Sequence, residues 1–263
     1  MAGLGRFGVS MSLGVEKTAG IAVVTIDRAP VNALTLALYD EIADLFDSMA
    51  HWADVNVVVL TGAGTRAFCA GLDLHEFLAA KVEDDPARAR IVRRMFASVR
   101  QAALPSIAAV NGPALGAGCV LSSVCDFRIA AEKATFGLPE INVGRCGGAA
   151  HMGRHLPQGL LRRMFFTGEP ISAAEAYRVG FVQEVVSSEA LMTRAMEIAA
   201  VIAKKAPLGL RLGKAALNEV EFMAVEEGYA REQEYSTRLM ATEDAREATR
   251  AVVEKRTPVF QGR

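Results

Sequence analysis

The sequence contains no run of eighteen apolar residues, so no helical segment read from it could span a bilayer. It carries no strong charge of either sign. With 29 Lys and Arg against 30 Asp and Glu, the formal net charge is −1, which gives no global field toward nucleic acid or an acidic membrane. Its four cysteines, Cys69, Cys119, Cys125 and Cys146, form no CxxC pair. Buried free thiols in a reducing compartment are the expectation, and no metal site is implied. The first residues, MAGLGRFGVSMSLG, lack a basic region followed by a long apolar run, so no secretory leader is read there and a cytoplasmic location is expected. Neither a low-complexity linker nor an internal repeat is evident. The glycine-rich turns lack the lysine and Ser/Thr of a P-loop, and they lack GxGxxG spacing.

What is present is a chain of 263 residues, 51% hydrophobic, long enough to bury roughly three quarters of its unfolded surface. SLGVEKTAGIAVVTID predicts a hairpin turning at Ala19-Gly20. From Thr35 to about Met49 the spacing of Leu38, Ile42, Leu45 and Met49 predicts a helix. VNVVVLTG (55–62), SIAAVNG (106–112) and CDFRIAAE (125–132) predict buried strands. A helix follows Asp73, Asp85-Pro86 opens another with an N-cap, and Ser172-x-x-Glu175 is a capping box for one ending near Gly180. Strand signals then stop. The pattern predicts an α/β core over residues 1–190 and an all-helical region over 191–263.

Two short stretches carry the chemistry. In AFCAGLDL (67–74), Gly71 turns the chain into a helix near Asp73; in NGPALGAGC (111–119), Gly116, Ala117 and Gly118 do the same. Each such turn exposes a backbone N–H, and two exposed N–H groups are what an oxyanion hole requires. The small side chains let a substrate carbonyl approach the backbone. Taken singly, a glycine-rich turn is more often tight packing.

With RAPVNALT (28–35), VVVLTGAGTRAFCAGLDL (57–74), AAVNGPALGAGC (108–119), CDFRIAAEKATFGLPEINVG (125–144), FTGEPISAAEAYRVGFVQEVV (166–186) and VVEKRTPVFQGR (252–263), nearly the whole chain resembles the crotonase superfamily, or enoyl-CoA hydratase/isomerase family. The resemblance implies a spiral of ββα units followed by a helical trimerisation region, assembled as a hexamer of two trimers. It implies an acyl-CoA substrate, no cofactor beyond the coenzyme A that the substrate carries, and a thioester enolate held by the N–H groups of Leu72 and Ala117. Glu140, in Gly137-Leu138-Pro139-Glu140, falls on the position of the second glutamate of the two-glutamate hydratases. The first glutamate's position is Val120. Coenzyme A contacts carry over to Arg28, Ala33, Ala70, Leu74, Lys255 and Phe260.

Because Val120 cannot hold or activate water, one-carboxylate chemistry is preferred: a 1,3-proton shift by Glu140, that is, double-bond isomerisation. The alternative is hydration by Glu140 alone or with a second acid from His75, Glu76 or His151, although a solvated helix face for the first two and a structural role for His151 are the plainer readings. Asp73 is read as an N-cap. A further alternative is RNA binding by the helix over 86–100, where Arg90, Arg93, Arg94 and Arg100 form a basic stripe. Without interleaved aromatics and with no net positive charge, a solvated face is preferred, and no nucleic-acid or membrane partner is expected.

Overall fold

The structure is a computed structural model and describes residues 12–263, so the reading of the first eleven residues lies outside it. The expected hairpin forms: β1 (Leu13–Thr18) and β2 (Ile21–Ile26) pair antiparallel, with Thr18 opposite Ile21. Ala19 and Gly20 both take positive φ, the turn geometry whose twist matches the flanking strands.

The chain then alternates. In order come α1 (Leu36–Ser48), β3 (Val57–Gly62), α2 (Leu74–Ala79), α3 (Asp85–Gln101), β4 (Ser106–Val110), β5 (Ala114–Leu115), α4 (Ala117–Val124) and β6 (Phe127–Ala131). They are followed by β7 (Thr135–Gly137), a 3-10 turn at Pro139–Val143, α5 (Ala149–Met152), α6 (Gln158–Thr167), β8 (Ile171–Ser172), α7 (Ala173–Arg178) and β9 (Glu184–Val186). Only helices follow: α8 (Leu191–Ala203), α9 (Pro207–Val220), α10 (Val225–Met240) and α11 (Glu243–Val253). A six-stranded sheet runs β1-β2-β3-β4-β6-β9, parallel from β2 onward, and a three-stranded sheet runs β5-β7-β8. This is the expected mixed α/β spiral.

The all-apolar strands follow from what covers them. Val58, Leu60, Ala108 and Val110 face a core shared with α1, α3 and α4. Val57, Val59, Ile107 and Ala109 point the other way, against Leu191, Ala195 and Ala199 of α8. Alternate residues thus enter two different cores, so neither face is left for polar side chains. The helices after residue 190 are of two kinds. α8 closes the second face of the sheet, and α9 inserts the buried Lys214, whose Nζ donates to Leu104 O (3.0 Å) and Asp126 Oδ2 (2.8 Å). α10 and α11 lie beyond and expose Val225, Tyr229, Met240, Val252 and Val253.

Two local expectations are corrected. Asp84, not Asp85, precedes α3; Asp85 is its first residue, free to bind Arg145 at 2.7 Å. Of the four thiols, Cys69, Cys119 and Cys125 are buried as expected, but Cys146 is exposed, because it lies on the glycine-rich loop before α5.

Candidate active site

Glycine brings the two N–H-bearing turns together. Leu34 N donates to Gly71 O (2.7 Å), Asp73 N to Leu34 O (2.9 Å), and Leu115 N to Cys69 O (3.0 Å). A Cβ on Gly118 would sit 2.0 Å from Cys69 O, and one on Gly71 would sit 2.8 Å from Leu115 O. Only bare backbone permits this approach. The N–H groups of Leu72 and Ala117 meet no acceptor among the described residues. Ala117 opens α4, where an N–H has no helical partner. Its φ is not positive, so the methyl group brings no backbone strain. A Cβ on Gly71 would lie 3.3 Å from Ala117 N, which places the second donor beside the turn that carries the first.

Glu140 arrives from a third segment. β7 pairs with β5, and Gly116 N donates to Gly137 O (2.9 Å), so the 3-10 turn after β7 lies against the start of α4. Glu140 Oε1 is 2.9 Å from where a Cβ of Gly116 would stand; Gly116 has φ +55°. Oε2 is buried without a hydrogen-bond partner. Burial raises the Glu140 pKa above 4.5, since no cation or side-chain donor offsets the lost hydration.

Val120 lies one turn into α4, its N–H donating to Gly116 O (3.1 Å). It is buried, and the Cβ position of Gly148 lies 2.7 Å from its Cγ2 and 2.8 Å from Leu138 Cδ2. Two acids near the first turn are occupied as helix caps. Asp73 Oδ1 accepts from His75 N (2.9 Å) and Glu76 N (3.0 Å), and its Oδ2 meets Arg28 Nη2 at 2.6 Å. These bonds, the Glu76 N–H foremost, lower its pKa. Glu76 Oε2 accepts from Leu36 N (2.8 Å) and so caps α1 from α2. His75 is exposed. His151 packs on Phe96 with ring centroids 5.4 Å apart, and burial, then Arg154 and Arg100, lower its pKa.

Around Leu72 the structure gathers four of the other expected residues. Arg28 Nη1 donates to Ala33 O (3.0 Å), Ala70 N donates to Val31 O (3.0 Å), and Leu74 is exposed at the start of α2. Lys255 and Phe260 follow α11, on a tail held by Gln261 N and Gly262 N donating to Asp244. No hydrogen bond or ion pair among the described residues joins them to the group around Leu72. The basic stripe of α3 is half neutralised. Arg94 meets Asp40, Asp44 and Asp47 of α1, Arg100 meets Glu221, and Arg90 and Arg93 are exposed.

One buried polar residue of α1 escaped the sequence reading. Tyr39 is 1% exposed on α1, three residues before Ile42 and four before Ala43, both buried. A tyrosine on the apolar stripe of a helix, with one polar atom to satisfy, is the signal that could have found it.

The description "Enoyl-CoA hydratase/isomerase" belongs to the family model that matches residues 16–263. The 2,3-dehydroadipyl-CoA hydratase of Escherichia coli is 37% identical over 257 residues, covering 95% of this chain and 98% of that protein. The short-chain-enoyl-CoA hydratase of Clostridium acetobutylicum is 35% identical over 246 residues, covering 92% and 94%. The crystal structure of an enoyl-CoA hydratase from Bacillus anthracis superposes with a TM-score of 0.92 at 35% identity, covering 96% of this chain and 100% of that one.

Proposed function

The chain belongs to the enoyl-CoA hydratase/isomerase family and acts on acyl-CoA, and on that premise we propose that it moves the double bond of an enoyl-CoA thioester with Glu140 as its single general acid/base. The observation that carries this reading is the unpartnered Glu140 Oε2 beside two backbone turns with free N–H groups, with the apolar Val120 one turn further along α4. Glu140 takes a proton from C2 of a 3-enoyl-CoA. The electron pair moves onto the thioester oxygen, where the Leu72 and Ala117 N–H groups stabilise it. The same carboxyl then returns the proton to C4. A carboxyl with a raised pKa suits both halves of that transfer. Losing one oxyanion donor typically costs about 2.7–4 kcal/mol of transition-state stabilisation.

Coenzyme A binding falls to Arg28, Ala33, Ala70 and Leu74 at the rim, with Lys255 and Phe260 reaching a neighbouring subunit. The exposed apolar side chains of α10 and α11 suit the trimer contacts of this family, with a hexamer of two trimers as the assembly, in the cytoplasm.

The test pairs two assays on one preparation: gain of conjugated-enoyl absorbance from a 3-enoyl-CoA, and its loss on hydration of crotonyl-CoA. Isomerisation is expected to be the faster. Glu140→Gln should lower it by about 10²–10⁴-fold and leave acyl-CoA affinity within a few-fold. Turnover by the variant near the wild-type rate would remove Glu140 as the base.

A further inference from the structure

Glu140 sits on neither an α-helix nor a strand but on the 3-10 turn Pro139–Val143, and a base must keep a set place relative to its oxyanion donors. Before the turn, β7 ties the chain down through its pairing with β5. After it, the chain is thinly packed. Residues 141–147 are exposed, Gly144 takes φ +69°, and a Cβ on Gly144 or Gly147 would meet nothing within 4 Å. Asn142 packs on Gly168, where a Cβ would lie 2.7 Å from its Nδ2. Arg145 reaches further. Its backbone N donates to Glu140 O (2.9 Å), while its side chain spans to two helices. Nη2 lies 2.7 Å from Asp85 Oδ1 at the start of α3, and Cζ lies 4.7 Å from the centroid of the Phe77 ring on α2.

Both helices belong to the frame of the site. α2 starts two residues after Leu72, with Asp73 as its cap, and Phe77 N donates to Asp73 O (3.0 Å). α3 sends Met95, Phe96 and Val99 into the main core. Resting on Glu140 as the base, we infer that Arg145 is a positioning residue: its guanidinium clasps Asp85 and Phe77 and so fixes the turn that carries Glu140 to the helix that grows out of the first oxyanion turn. Arginine suits this task, because the face of a planar guanidinium stacks on a ring while its edge meets a carboxylate. The Arg145 and Asp85 side chains are 42% and 45% exposed, so their pairing adds little to the stability of the whole chain. Nor does Arg145 offset the burial that raises the Glu140 pKa. The clasp acts through the place of the carboxyl group and not through its charge.

Arg145→Met keeps an apolar stem and removes the ion pair. In whichever of the two assays the wild type is faster, it should lower kcat about five- to twentyfold, change KM little and leave the thermal midpoint close to wild type. Arg145→Lys, which keeps the charge, should recover part of the loss. Asp85→Asn should cost about as much as Arg145→Met, and the double variant no more than either alone, since one clasp can be broken only once. Wild-type kcat for Arg145→Met, losses that simply add in the double variant, or a loss matched by a fall in the thermal midpoint would each overturn the inference. Glu140→Gln, measured beside them, keeps the premise separate. Near-wild-type turnover by Glu140→Gln removes the base itself, whereas an impaired Glu140→Gln next to a fully active Arg145→Met overturns the clasp alone.

Discussion

The two ends of α4 differ sharply, though the helix is only eight residues long. At the N-terminal end Ala117 N–H has no acceptor, and the neighbouring Glu140 Oε2 has no donor. At the C-terminal end the carbonyls are occupied. Arg128, 2% exposed, donates to Ser122 O (3.3 Å), Cys125 O (3.2 Å) and Phe181 O, and lies 4.7 Å over the Phe181 ring. His155 Nε2 adds a contact to Ser123 O at 3.0 Å. Burial lowers the Arg128 pKa to about 10, still well above neutrality, so a cation sits against the negative end of the helix dipole. One end of the helix is anchored by satisfied polar groups, and that anchoring lets the other end hold unsatisfied ones in fixed positions.

The contrast can be broken most forcefully at the anchored end. Arg128→Met leaves buried carbonyls without donors and should destabilise the protein by about 3–5 kcal/mol, read as a lower urea midpoint, with Arg128→Lys intermediate. An unchanged midpoint would mean that the clamp contributes nothing and that the two ends are alike.

The free end is tested by Gly116→Ala. The new Cβ would stand 2.9 Å from Glu140 Oε1 at a residue with φ +55°, so the carboxylate must move. Displacement of a reacting group by a fraction of an ångström should lower kcat by about ten- to a hundredfold, while strain costs about 1–2 kcal/mol of stability. Wild-type kcat in a folded variant would show that the Glu140 position is not tightly set.

The smallest effect concerns the pH dependence of stability. A carboxyl whose folded pKa is raised above 4.5 favours folding fully only below its ordinary pKa, and that contribution is lost as pH rises through the raised value. Glu140→Gln has no charge to bury. Its thermal midpoint should therefore match wild type near pH 4 and exceed it at pH 8. If instead wild type gains on the variant as pH rises, the Glu140 carboxylate is paired after all.

Much of this was legible in the residues. The strands β3 and β4 announced their double burial by having no polar alternation, and the cap at Ser172 was written in its spacing to Glu175, whose N–H it accepts at 3.2 Å. The small sheet β5-β7-β8 was not legible, since strands of two or three residues carry no periodicity. Glu76 read as a solvated helix residue or a spare acid. That it caps α1 depends on a partner forty positions away. The break at residue 190 was visible as the end of strand signals, but not that α8 completes the core of the sheet.

By itself the sequence determined the local chemistry: glycines where backbone must meet backbone, an N–H at Leu72 and at Ala117, a carboxyl at Glu140 and none at Val120. These are properties of single residues and short turns, fixed before any packing. The tertiary structure decided which polar groups are satisfied. Asp73 and Glu76 became caps, Arg128 and Lys214 became buried anchors, and Glu140 Oε2 was left unpaired. That choice is made by segments far apart in the chain, because a hydrogen bond forms only where folding brings donor and acceptor within about 3 Å.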